Sequence, residues 1–135
     1  MTVSTIRDGL KTRLATISGL RAYDTIPDNP SPPFAVVVPG SITFDSAFAR
    51  GLDEYEFSVL VVVSRAHERI GQDLLDGYCA ASGSTSVKAA IEGDRTLNGA
   101  ADTLRVTEMR NYQALTIGEV QYLAAEFVVQ LYATA

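Results

Sequence analysis

The chain has 135 residues, of which 47% are hydrophobic and 20% charged, and its formal net charge at pH 7 is −5. The length suits a single domain, residues 1–135, and the composition is typical of a globular rather than a disordered protein. With only two lysines, far apart at Lys11 and Lys88, and a longest apolar run of residues 59–63, the sequence shows neither a basic nucleic-acid-binding patch nor a membrane-spanning helix.

The first third of the chain predicts a helix, a short strand, a loop and a second strand. Apolar residues recur at helical spacing at Ile6, Leu10, Leu14 and Ile17. Residues 21–26 predict a short strand, and the prolines within residues 27–33 exclude a helix or a central strand there, so we expect a surface loop. Residues 34–38 are apolar on both faces and predict a strand, which we expect to end at Pro39-Gly40.

The middle of the chain contains the strongest strand signal. Residues 41–52 mix apolar with small polar residues and fit either a two-strand excursion or a long loop. Residues 53–65 first alternate between aromatic and acidic side chains and then become apolar on both faces. A strand of this kind begins exposed and runs into the middle of a sheet.

The rest of the chain predicts two helices and a hairpin. Residues 66–81 predict the second helix. Its apolar face consists of Ile70, Leu74, Leu75, Tyr78 and Cys79. Ser86 is placed to cap a short third helix at residues 87–92. Strands predicted at residues 103–112 and 120–133 are close in sequence and should pair as an antiparallel hairpin, with its tip near residues 116–119.

Together these elements predict an α+β domain in the order α-β-β-β-α-α-β-β. The simplest architecture is one mostly antiparallel sheet with the two main helices on one face, since each helix has one apolar stripe to bury. We therefore expect the opposite face of the sheet to be uncovered in a single chain.

The sequence offers no set of residues for metal binding or nucleophilic catalysis. Its one histidine, His67, and its one cysteine, Cys79, are too few for a zinc site. We expect His67 to be a solvated residue at the start of the second helix and Cys79 to be a buried thiol. Residues 83–88 lack the ending of a phosphate-binding loop and predict a turn between helices. We predict no enzyme activity, no metal and no cofactor.

Carboxylates occur in pairs at two places, Glu54 with Glu56 and Asp73 with Asp76. General acid–base catalysis needs such a pair in a cleft that shifts one of the two pKa values. Both pairs lie on the polar side of a predicted element, so we interpret them as solvated side chains.

Aromatic residues outside the predicted core are candidates for a subunit interface, because interfaces are enriched in Tyr, Phe and Arg. The candidate interface residues are Phe44, Phe48, Arg50, Tyr112, Tyr122 and Tyr132. The alternative is that these aromatics form a second small core under loops.

Three stretches carry a resemblance to a known family. They run from TIRDGLKTRL to PFAVVVPG (residues 5–40), from FDSAFARGLDEYEF to SVKAAIE (residues 44–92), and through GEVQYLAAEFVVQLYA (residues 118–133). Over nearly the whole chain this pattern resembles the tail terminator proteins of long-tailed bacteriophages. The family has no short invariant motif that assigns a role to a single residue here.

The resemblance implies a small α+β structural protein of the virion that has no enzyme activity. Such proteins assemble as a ring, typically a hexamer, on the head-proximal end of the tail tube, end tube polymerisation and join the head-completion or connector protein. DNA would pass through the lumen without specific binding, and no membrane is involved. We expect the protein in the host cytoplasm during assembly and then in the virion tail.

Two alternatives to this function stay open. One is another head–tail connector or neck protein of a phage. The other is a small ligand-binding module or enzyme of cellular origin, which would need a pocket with convergent polar groups.

Overall fold

The computed structural model of the protein describes residues 3–23, 32–44, 52–64, 68–97, 99 and 101–134. Within these ranges, three helices and five strands follow the order α-β-β-β-α-α-β-β, as predicted. Their bounds are α1 (Val3–Leu14), β1 (Arg21–Tyr23), β2 (Phe34–Thr43), β3 (Leu52–Ser64), α2 (Glu68–Tyr78), α3 (Val87–Glu92), β4 (Thr103–Ile117) and β5 (Val120–Thr134).

The five strands form one sheet in the order β1-β2-β3-β5-β4. Only the short pair β1–β2 is parallel, and the other three pairs are antiparallel. This confirms the predicted α+β fold with a mostly antiparallel sheet. β3 lies at the centre, where its fully apolar second half has neighbours on both sides, as the sequence pattern predicts.

All three helices pack on one face of the sheet. Their buried residues join one continuous core with alternate residues of the strands, including Phe57, Val59 and Val61 of β3. Along β5 the same face carries Leu123, Ala125, Phe127, Val129 and Leu131, the set that the alternation predicts. We call the other face of the sheet the open face.

Two strands are longer than predicted, because irregular residues interrupt the pairing without ending it. β2 continues through Pro39-Gly40 to Thr43, and its register against β3 shifts between Pro39 and Ser41. A Cβ atom on Gly40 would lie 2.8 Å from the backbone oxygen of Glu56, so the absence of a side chain permits this shift. β4 runs to Ile117 rather than to Tyr112, with register shifts after Val106 and Arg110.

The ends of the helices agree in part with the sequence predictions. Ser86 caps α3, because its Oγ accepts a hydrogen bond from the backbone N of Ala89 at 3.1 Å, as predicted. α2 is shorter than predicted, and His67 lies outside the described residues. At Gly71 this helix approaches the end of β3 so closely that a Cβ atom would collide with the backbone oxygen of Ser64.

Candidate interaction surfaces

One end of the open face is buried within the chain itself. Phe34, Val36, Val62, Tyr122 and Ala124 form this second cluster. Tyr122 is only 8% exposed, and Tyr23 packs edge-on against Phe34 with ring centroids 5.8 Å apart. The expectation of an uncovered face is therefore wrong at this end. Tyr122 belongs to a small second core, the alternative interpretation of the aromatics, and a single chain does not present it to a partner.

The other end of the open face is polar. Register places Glu54 opposite Tyr132 and Glu56 opposite Gln130 on the neighbouring strand. Glu54 accepts a hydrogen bond from the side-chain amide of Gln130, and Glu56 accepts one from the Ser41 hydroxyl at 3.4 Å. These carboxylates lie on the side of β3 away from the helices, as predicted, and each has a polar partner.

Further charges continue this polar surface across to β4. Glu126 accepts a hydrogen bond from Arg110 Nε at 3.3 Å, and Glu108 lies 3.6 Å from the same guanidinium. One arginine thus serves two carboxylates, so this surface keeps an excess of negative charge. The arrangement is that of a solvated ion-pair network on a sheet.

The residues that the structure describes supply neither a group of metal ligands nor an activated thiol. There, no three His, Cys, Asp or Glu side chains come together in a group that could hold a metal ion. Burial, together with the nearby Asp76 carboxylate, raises the pKa of the half-buried Cys79 thiol to about 11, so the thiol is neutral at pH 7 and a poor nucleophile.

A cleft of about 390 Å³ lies between α1 and residues 94–97, and its polar lining includes Asp8, Arg13 and Asp94. Arg13 is already engaged there, because its Nε donates a hydrogen bond to the backbone oxygen of Ala90 at 2.9 Å. The charged groups of the cleft are therefore two aspartates and Arg13. Because Arg13 holds α1 to α3, its role in the cleft is structural.

Apolar side chains are exposed where β2 ends. Ile42 and Phe44, which we call the aromatic tip, are both exposed, although Ile42 lies opposite the buried Tyr55 of β3. Phe44 is 69% exposed, the largest exposed fraction among the large hydrophobic residues of the described ranges. It is one of the predicted interface residues, and the structure places it at the surface.

A second exposed apolar surface lies at the opposite end of β2. Ile70 is 67% exposed, and it lies one helical turn before Leu74, which is also exposed. Together with Pro32, Pro33 and Val63 these two side chains line a groove of about 110 Å³, which we call the helix groove. Ile70 and Leu74 belong to the predicted apolar face of α2. Of that face the helix buries Leu75 and Tyr78, and the expectation that the whole face is buried is wrong for Ile70 and Leu74.

The remaining predicted interface residues fall in different places. Tyr112 lies within β4 rather than at the hairpin end, and its hydroxyl donates a hydrogen bond to Asp76 Oδ1 of α2 at 2.9 Å. Tyr132 is half-buried on the open face between Glu54 and Thr103. Phe48 and Arg50 lie outside the described residues. The four candidates that the structure describes therefore do not form one surface.

The helix groove is the surface that sequence reasoning missed. Helical periodicity assigns Ile70, Leu74 and Leu75 to one stripe, and it cannot tell which edge of the stripe meets the sheet. The signal available was Gly71, since a glycine within a helix often marks close contact with another backbone. In the described part of the chain, no helix has the length and apolar character needed to cross a membrane.

Comparisons with known proteins add little to these observations. No model of a known protein family matches the sequence, and no curated protein does. Among solved structures 27 chains match, and one of them covers 97% of this chain and 96% of its own length, with 18% identity and a TM-score of 0.49. A similarity of this degree supports no statement about function.

Proposed function

We propose that this protein is a structural component of a bacteriophage tail, a tail terminator that forms a ring on the head-proximal end of the tail tube. The observation that carries the proposal is the presence of two separate exposed apolar surfaces, the aromatic tip and the helix groove, in a domain whose described residues supply neither a group of metal ligands nor an activated thiol. Exposed apolar side chains that lie together, rather than scattered singly, mark sites of protein–protein contact.

The two surfaces also fit the geometry of a ring. A ring of identical subunits uses heterologous contacts, in which two different patches on each subunit meet. A symmetric dimer would need only one patch, which contacts itself. Two distinct apolar surfaces at opposite ends of one strand therefore favour repeated head-to-tail association. The resemblance of the sequence to tail terminators gives this assembly its proposed place and partners, the tube protein on one side and the head-completion protein on the other.

The acidic character of the chain is compatible with a channel for DNA. The net charge is −5, and the polar end of the open face carries Glu54, Glu56, Glu108 and Glu126 against Arg105 and Arg110. Such a surface repels phosphate and would let DNA pass without binding.

The proposal is tested by deleting the gene in the parent phage and imaging the lysate by electron microscopy. We expect overlong tails without heads, because nothing would stop polymerisation of the tube. Complementation with the wild-type gene on a plasmid is the control and should restore normal length. Tails of normal length joined to heads would refute the proposal. Tails of normal length that fail to join heads would instead indicate a neck protein on the head side.

A further inference from the structure

We propose that the aromatic tip of one copy of this protein inserts into the helix groove of a second copy, with Phe44 as the inserted side chain. This inference rests on the proposed function, since it names the contact through which neighbouring subunits of the ring would meet. It is carried by three observations: the position of the two surfaces, the size of the groove, and the apolar character of both.

The position of the two surfaces requires that the contact join two molecules. Pro33 directly precedes β2 and lines the groove, whereas Phe44 directly follows β2. The strand has ten residues, which span roughly 30 Å at the rise per residue of a β-strand. β2 is held along its length by pairing with β3, so the tip cannot fold back onto the groove of its own chain.

The size of the groove matches one aromatic ring. Its volume is about 110 Å³. A dry apolar cavity of about 150 Å³ accommodates a benzene molecule, so an open groove slightly smaller than this suits a ring that enters from one side. Phe44 is the most exposed aromatic side chain among the described residues, and it lies directly after the last residue of β2.

The chemistry of the two surfaces also agrees. The groove is lined by the proline rings, Val63 and the side chains of Ile70 and Leu74, together with the small residues Ser64 and Gly71. None of the described residues that line it is charged, so an aromatic ring that packs against them leaves no charge of theirs buried and unpaired. A polar or charged segment would find no hydrogen-bond partner among the apolar side chains of the groove.

The area of the contact sets its expected strength. An aromatic side chain buries about 150–250 Å² in total, so the exposed part of Phe44 contributes roughly 100–170 Å². A stable pair of proteins needs about 800 Å² on each partner. One tip in one groove is therefore a weak contact in dilute solution. In a closed ring each subunit uses both of its surfaces, and the contacts reinforce each other through effective concentration.

The experiment traps the contact with cysteines placed beside the two surfaces rather than within them. In a Cys79→Ala background, Thr43→Cys lies next to the tip and Asp73→Cys lies next to Leu74 on the exposed side of α2. Equal amounts of the two proteins, carrying tags of different size, are mixed and mildly oxidised, and the mixed dimer is measured on a non-reducing gel. The matched control replaces Asp73→Cys by Glu119→Cys, an exposed position in the turn after β4.

We expect clearly more mixed dimer with Asp73→Cys than with Glu119→Cys. Adding Phe44→Ser to the tip protein, or Ile70→Ser to the groove protein, should weaken the association about tenfold and return the yield to the control level, since central apolar anchors of an interface typically contribute more than 1 kcal/mol. Circular dichroism of both serine variants should match the parent, because these side chains are exposed.

Two results would overturn the inference. The first is a yield of mixed dimer equal to the control. The second is dimer formed equally by Thr43→Cys protein alone, which would indicate a symmetric contact of tip with tip. Either result leaves the gene-deletion experiment free to support a tail terminator, and overlong tails would then point to a ring with a different contact. Normal tails together with specific cross-linking would instead separate self-association from that function.

Discussion

The two faces of the sheet differ in how far their burial extends. On the helix-bearing face, alternate residues of β3 are buried from Tyr55 to Val63. On the open face, the intervening residues are polar from Glu54 to Ser58 and are fully buried only at Val62. One strand thus belongs to two different environments, and the change occurs along its length.

This difference explains why β3 alternates first and becomes continuously apolar later. A strand that is covered on one face selects apolar residues at every second position, and a strand covered on both faces selects them throughout. The change of pattern near Leu60 therefore marks the place where the second cluster begins to cover the open face. Whether that cluster stabilises the fold as a true core can be measured.

Truncation of two adjacent valines compares the faces directly. Val61 and Val62 are both fully buried, but Val61 belongs to the main core and Val62 to the second cluster. We expect Val61→Ala to lower the free energy of unfolding by about 2–3 kcal/mol and Val62→Ala by about 1–2 kcal/mol. The second value is smaller because the partly exposed Leu60 and Leu115 can move into the space that the lost methyl groups leave.

Urea denaturation followed by circular dichroism gives both values, with Phe44→Ala as a control that should change stability by less than about 0.5 kcal/mol. Equal losses at Val61 and Val62 would mean that the second cluster is packed as rigidly as the main core. No loss at Val62 would mean that the open face contributes nothing to the stability of the single chain.

The hydrogen bonds and ion pairs of acidic side chains also differ between the two faces of the sheet. Glu92 of α3 accepts a hydrogen bond from the backbone N of Val106 at 2.9 Å and pairs with Lys88 at 2.6 Å, so it fastens the helix layer to the edge strand β4. Glu108 lies on the open side of the same strand, where it forms an exposed ion pair with Arg110 at 3.6 Å. We expect Glu92→Gln to cost about 1 kcal/mol at pH 7 and Glu108→Gln to cost almost nothing.

The loss of stability caused by Glu92→Gln should depend on pH. Partial burial alone would raise the pKa of Glu92, but hydrogen bonds from Lys88 and Val106 and the charges of Lys88 and Arg95 outweigh burial, so the pKa lies below its usual value of 4.5. A lowered pKa means that the carboxylate stabilises the fold above pH 4.5 and that this contribution disappears as the pH falls through the folded-state pKa. The stability difference between wild type and Glu92→Gln should therefore shrink in acid, and a difference that is constant from pH 7 to pH 3 would contradict this role.

The sequence predicts most of the fold, because most of its helices and strands follow from the regular spacing of apolar residues. The apolar stripe of α1, the alternation of β5 and the Ser86 cap each depend on local spacing, and each is confirmed. The continuation of β2 past Pro39 could not be predicted, since it depends on a glycine whose missing side chain matters only against the backbone of Glu56.

The surfaces were harder to predict than the fold. Phe44 is a candidate because it is an aromatic residue outside the predicted core, in a segment that mixes apolar with small polar residues. Tyr122 has a similar local pattern, but it is buried by side chains that are distant in sequence, Phe34 and Val62 among them. Local sequence patterns indicate the environment that a residue favours, whereas its exposure depends on which other segments of the chain pack against it.

A smaller loss than at Glu92 is expected at Tyr112, which ties β4 to α2 at the place where Asn111 adopts a φ of 56°. Burial, the hydrogen bond to Asp76 and the negative charges nearby raise the pKa of Tyr112 to about 12. We expect Tyr112→Phe to cost only about 0.5 kcal/mol at pH 7, because the hydrogen bond is exposed to solvent.

The contribution of Tyr112 to stability should also depend on pH. Because its pKa is raised, the protonated hydroxyl stabilises the fold below the usual value of 10.0, and this contribution is lost as the pH rises toward 12. Wild type should therefore lose stability more steeply than Tyr112→Phe between pH 10 and 12 in urea titrations, with Tyr132→Phe as the control for a tyrosine on the open face. Parallel pH profiles of all three proteins would show that Tyr112 does not fasten the edge strand to the helix layer.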